Sequence, residues 1–129
     1  MNKSELLSGF NNHINEFFDD VVTIFPNDSD IQVAQTSLLT IRKVNPKLII
    51  AIWKEYIMDP YCEEINNGNI DFFINKNYAN DLKSTENAST ILQKIDTLRV
   101  PISQMGEENK QKTITYIQNL TKLCKIYYL

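Results

Sequence analysis

Apolar residues recur along this chain at three- and four-residue spacing, in five successive stretches, each laying them on one face of a helix. A helix with one apolar face must bury it against another element. The pattern therefore predicts an all-α fold: a compact bundle of about five main helices plus one or two short ones. Strand architectures are disfavoured by the same residues. With 3 Gly and 4 Pro in 129 residues, the chain lacks the frequent turns that a sandwich or barrel requires. The length fits a single helical domain over residues 1–129, large enough to fold without staples.

The first stretch covers about residues 4–25. Leu6, Leu7, Phe10, Ile14, Phe17, Phe18, Val21 and Val22 share a face, opposite Asn12, Glu16, Asp19 and Asp20. Ser4 is placed to cap its start, and Pro26 ends it because the residue before a proline avoids helical geometry. The second follows Asn27-Asp28-Ser29-Asp30, with Asp28 or Ser29 as cap and a narrow stripe of Ile31, Ala34, Leu38 and Ile41. Asn45 and Pro46 then read as the cap and first position of a third helix. Its apolar residues Leu48, Ile49, Ile50, Ile52, Trp53, Tyr56 and Ile57 cover more than half its circumference. That makes residues 46–58 the central helix. Pro60 is expected to interrupt it, with another turn or two before the stop signal Asn66-Asn67-Gly68. Residues 70–82 have weak periodicity and suit one or two short helices. The fourth main helix spans about residues 87–99, closed by Pro101. The fifth runs from near Gly106 to the C-terminus, with Glu107 and Glu108 in its first turn and Lys122 and Lys125 near its end, as the helix dipole favours.

Charge narrows the classes of function. The formal net charge is −3, so attraction to a phosphate backbone is not a property of the whole molecule. The two cysteines do not suggest a disulfide framework. The opening residues are polar, no signal-like apolar run follows, and the longest apolar run, residues 48–53, is too short for a membrane span. These features predict a protein kept in a reducing compartment.

Each candidate chemical group has a plainer structural reading. His13, the only histidine, lies at the border of the first stripe, with Glu16 one turn on and Asp20 two turns on. A carboxylate-bridged metal site needs such a pair from two helices, and the chain offers one, so a boundary histidine bonded to its neighbour is preferred. Cys124 falls inside the last stripe, as a small buried hydrophobe would. Cys62, beside Glu63 and Glu64, lacks the electropositive setting that a reactive thiol needs. Asp28-Ser29-Asp30 opens like a calcium loop, but Val33 and Leu39 stand where that loop needs glycine and glutamate, so capping explains it better. The adjacent pairs Asp19-Asp20 and Glu63-Glu64 point about 100° apart on a helix and do not converge on one atom. Sequons at Asn2, Asn27, Asn87 and Asn119 are the chance matches of an Asn-rich chain. No catalytic residue, cofactor or metal is predicted.

Two surfaces are predicted for partners. Trp53, Tyr56, Tyr61, Phe72, Phe73 and Tyr78 cluster between the third helix and residues 70–82. Most should be core, and those left exposed would anchor a protein partner, with Trp53, Tyr61, Phe72, Phe73 and Tyr78 as candidates. Lys110, Lys112, Lys122 and Lys125, followed by Tyr127 and Tyr128, offer a modest nucleic-acid surface as the alternative.

FNNHINEFFDDVVTIFPND (residues 10–28), NPKLIIAIW (45–53), FFINKNY (72–78), IDTLRVPI (95–102) and YIQNLTKL (116–123) together resemble a family of small all-helical proteins. Large double-stranded DNA viruses of algae and protists encode that family. The resemblance covers nearly the whole chain. It implies a viral protein of the host cytoplasm, viral factory or virion, with no enzymatic activity to carry over. Abundant Asn (15), Ile (17) and Lys (11, against 2 Arg) agrees with an AT-rich genome. The expected function is that of a non-enzymatic interaction protein, a minor virion or capsid-associated component whose partners are capsid or other virion proteins. Accessory binding of nucleic acid in replication or transcription is the alternative, and self-association stays open.

Overall fold

The computed structural model describes residues 2–75 and 86–129, and among these every regular element is helical. In order they are α1 (Lys3–Ile24), α2 (Ser29–Val44), α3 (Leu48–Trp53), a π-helical segment (Lys54–Met58), α4 (Asp59–Asn66), α5 (Asp71–Asn75), α6 (Glu86–Asp96), α7 (Arg99–Ser103) and α8 (Glu107–Tyr127). The all-α bundle read from the sequence is the fold observed.

The longest helices, α1 and α8, pack antiparallel. Lys3 lies over the ring of Tyr127 at one end of the pair, and Phe17 stacks on Tyr116 further along. Both helices bury the stripe that their periodicity foretold: Leu6, Phe10, Ile14, Phe17, Phe18 and Val21 from α1, and Ile114, Ile117, Leu120 and Cys124 from α8. Each such side chain taken fully from water contributes about 1.5–3 kcal/mol, so these two faces anchor the core. The predicted central helix is central. Ile49, Ile50 and Trp53 are buried within one continuous core, where the Trp53 ring meets Phe10 edge-on with centroids 5.9 Å apart. Its indole Nε1–H donates to Thr121 Oγ1 at 3.1 Å, and the Thr121 hydroxyl donates onward to the Ile117 carbonyl at 2.8 Å. The one polar group on the largest core side chain is thereby satisfied.

Helix boundaries depart from the sequence reading where a local bond outcompetes it. Asn2, and not Ser4, caps α1: its Oδ1 accepts from the Glu5 backbone N–H at 2.9 Å while its amide donates back to Glu5 Oε1 at 3.1 Å. That reciprocal pair resembles a capping box, with the Asn2 side-chain amide in place of its backbone N–H, and Ser4, with Leu7 three residues on, has no partner to form it. Asp28 caps α2, as expected. Asn45 does not start a helix but closes α2, its N–H bonded to the Ile41 carbonyl, and α3 begins at Leu48. The Pro46 carbonyl left free by that turn accepts from the buried Asn11 amide at 2.9 Å, tying α1 to the α2–α3 turn. Asn11→Ala should therefore cost about 1 kcal/mol, read as a lower urea midpoint at unchanged slope.

Pro60 does interrupt the third helix, as a kink at Tyr61 and not as a full stop. A proline ring clashes with the carbonyl four residues back, here that of Tyr56. The backbone avoids this by widening into the π segment, where the Asp59 N–H reaches back to the Lys54 carbonyl. The chain then continues as α4 with a single non-helical residue, Tyr61 (φ −126°, ψ 19°). Asn66-Asn67-Gly68 does stop it. Gly68 takes φ 72°, its N–H bonds the Ile65 carbonyl at 3.0 Å, and the Asn69 N–H bonds that of Glu64 at 2.9 Å. This double closure of the last turn favours glycine. In residues 70–82 one short helix, α5, is seen; positions 76–82 lie outside the described residues. The fourth main helix ends at Asp96, three residues early, and Pro101 sits buried inside α7 and not beyond a helix end. Proline is tolerated there because it lies in the first turn, whose N–H groups have no intrahelical partner.

Candidate functional site

The predicted aromatic anchors are divided by the fold. Trp53 (1% exposed) and Phe73 (0%) are core residues and cannot reach a partner, which corrects their assignment as contact residues. Both lie on helix faces turned inward, Phe73 under α7 and Trp53 against α8. Tyr61 and Phe72 are half-buried and stack on each other at 5.2 Å with planes 26° apart. The kink after Pro60 turns Tyr61 toward α5. Tyr78 lies outside the described residues.

His13, Glu16 and Asp20 do come together, in a cleft of about 560 Å³ between α1 and α8 that Lys112 and Tyr116 also line. His13 Nδ1 is 3.5 Å from Glu16 Oε2, and its ring lies 4.9 Å from that of Tyr116. The Tyr116 hydroxyl donates to Asp20. Partial burial first, then that bond and the nearby charges of Asp20, Glu16 and Asp19, push its pKa up to about 12. His13 Nε2 is buried without a hydrogen-bond partner. Nε2 is thus shut from solvent, while Nδ1 is turned to the exposed Glu16 carboxylate along the cleft. The geometry matches the boundary-histidine reading.

The thiols are equally withdrawn. Cys124 is fully buried, its Sγ 3.6 Å from the Ile50 carbonyl to which it donates, and burial pushes its pKa up to about 12 against a smaller opposing pull from Lys54. Cys62 is half-buried and accepts from the Asn66 amide at 3.7 Å. Among the described residues no three His, Cys, Asp or Glu side chains are grouped to hold a metal ion. Asp28 of the calcium-like loop uses its Oδ1 on the backbone N–H groups of Asp30 and Ile31. On α8, Lys112, Lys122 and Lys125 are exposed and Lys110 half-buried; Tyr127 is buried beneath Lys3, while Tyr128 is exposed with Lys54 over its ring at 5.6 Å.

A surface that the sequence reading passed over has the better geometry for contact. A groove of about 600 Å³ runs between α2 and the α6–α7 corner. Its apolar lining is Phe25, Val33, Ala34, Val100 and Pro101, and its rim is charged. Val33 and Val100 are 59% and 57% exposed although they sit beside a full core. An apolar floor with a charged rim is the anatomy of a protein interface. One signal was present in the sequence: Val33 lies off the Ile31-Ala34-Leu38 stripe of its helix, so it had no place in the core.

Among the described residues no helix is long and apolar enough to cross a membrane. In comparison with known proteins the chain matches no family model, no curated protein and no solved structure.

Proposed function

We propose that this chain is a non-enzymatic interaction protein of a large double-stranded DNA virus, a minor virion component that works by holding a protein partner in the groove between α2 and α7. The observation that carries the contact role is the exposure of Val33 and Val100 in a groove that Phe25, Ala34 and Pro101 also line. Exposed aliphatic side chains gathered at one concave place gain from being covered, because each loses its contact with water when a partner seats on it. The burial of Cys124 and the use of His13 Nδ1 on Glu16 support contact over chemistry. The viral source rests on the resemblance carried by residues 10–28, 45–53, 72–78, 95–102 and 116–123, and places the protein in the host cytoplasm, viral factory or particle.

The test is crosslinking in infected cells. A photoreactive p-benzoylphenylalanine in place of Val33 or Val100 should give a discrete adduct with another protein, and the same group in place of Lys122 should not. Equal adducts from all three positions, or none, would remove the groove. Mass spectrometry of purified particles examines the other half, since the chain's absence from them would end its role as a virion component.

A further inference from the structure

The charges around the groove are unequal in what they still have to give. Asp28 is used as the cap of α2, and Asp96 accepts from Arg99 Nε at 3.0 Å. Two charges remain. Asp30 stands exposed in the first turn of α2, Lys94 half-buried in the last turn of α6, and neither enters an ion pair among the described residues. Asp30 and the exposed Val33 line the groove from α2, Lys94 from α6 and the exposed Val100 from α7.

We infer that the groove accepts a dipolar segment of a partner protein, with an apolar side chain over Val33 and Val100, a cationic side chain toward Asp30 and an anionic one toward Lys94. The inference rests on the contact reading above and adds a sign and a direction to it. An occupant of one sign would set a like charge against one wall or leave the other wall's charge covered and unpaired, and both outcomes cost affinity. A purely apolar occupant would cover both charges and pair neither. The dipolar segment alone pairs both walls, and because the walls differ it binds in one chain direction. A second copy of this chain is the rival occupant, and the measurement below separates it.

The purified chain, immobilised, is used to select from a random peptide library displayed on phage, alongside its Val33→Glu and Lys94→Glu variants. Both altered side chains are away from the core, and circular dichroism verifies that each variant is folded. Selected peptides should carry an apolar residue between a basic and an acidic one, in a constant order. Val33→Glu should weaken them about tenfold or more. Lys94→Glu should weaken them similarly and, in a fresh selection, replace the acidic residue with a basic one. Peptides that depend on Val33 but show no charge pattern would overturn the dipolar occupant and leave the contact role standing. Peptides indifferent to Val33 would overturn both. Sedimentation analysis gives the remaining outcome: concentration-dependent self-association that Val33→Glu abolishes would identify a second copy as the occupant and overturn the inference.

Discussion

Trp53→Ala should destabilise the protein by about 3–5 kcal/mol, a large part of the roughly 5–15 kcal/mol that holds a domain of ordinary stability together. The ring is 1% exposed and meets Phe10 edge-on, so its loss leaves a cavity that α1, α3 and α8 cannot all close. Thr121 would also lose the indole donor at 3.1 Å while keeping its own bond to Ile117. Trp53→Phe separates the two effects. It retains most of the packing and loses the N–H, for about 1–2 kcal/mol. Urea unfolding followed by far-ultraviolet circular dichroism measures both, since Trp53 is the chain's one tryptophan and its fluorescence disappears with the substitution. A cost under 1 kcal/mol for the alanine variant would mean that the segment is not the centre of the core.

The second large effect is alkaline. Burial pushes the Cys124 thiol up to about 12, and partial burial with the bond to Asp20 does the same for Tyr116. In the unfolded chain both groups ionise at lower pH, so over the interval between the two values the unfolded state has released protons that the folded state still holds. Stability is then whole below about pH 9 and declines as pH rises toward about 12. With each unit of displacement equivalent to about 1.4 kcal/mol, the buried thiol withdraws a few kcal/mol across that window. Tyr116 adds less because water reaches its ring and screens the charge. Urea midpoints at pH 7, 9 and 11 should fall in that order. Cys124→Ala should be weaker at pH 7 yet lose less between pH 9 and 11. A flat profile for the natural chain would contradict the enclosure of the thiol.

Most of this architecture was legible because burial leaves a periodic trace. The faces of α1 and α8, the central position of Trp53, the boundary position of His13 and the burial of Cys124 all follow from where apolar residues fall on a wheel. What was not legible depended on bonds between particular atoms. Asn2 and Ser4 are both good caps, and Asn2 has Glu5 three residues on to accept from its side-chain amide. Pro101 read as a break because a proline's usual effect is local, whereas a first-turn position absorbs it here; at Pro60 the kink was legible and the widened turn before it was not. Trp53 and Phe73 were misassigned as contact residues for a related reason. Aromatic residues are rich in both cores and interfaces, so composition could not separate Phe73, sealed under α7, from Phe72, half-open beside Tyr61. The groove itself is built by bringing residues 25–34 against residues 94–104, a juxtaposition with no trace in either segment alone.

The wide turn at Lys54–Met58 acts on the rod of backbone as a phase shifter. Upstream of it, α3 meets α1, α2, α6 and α8; the wide turn itself and α4 beyond it both stay against α8. The dilated turn alters the winding partway along while Trp53 before it and Ile65 after it both remain in the core. One continuous segment thereby serves as a spine for several neighbours, without spending a loop.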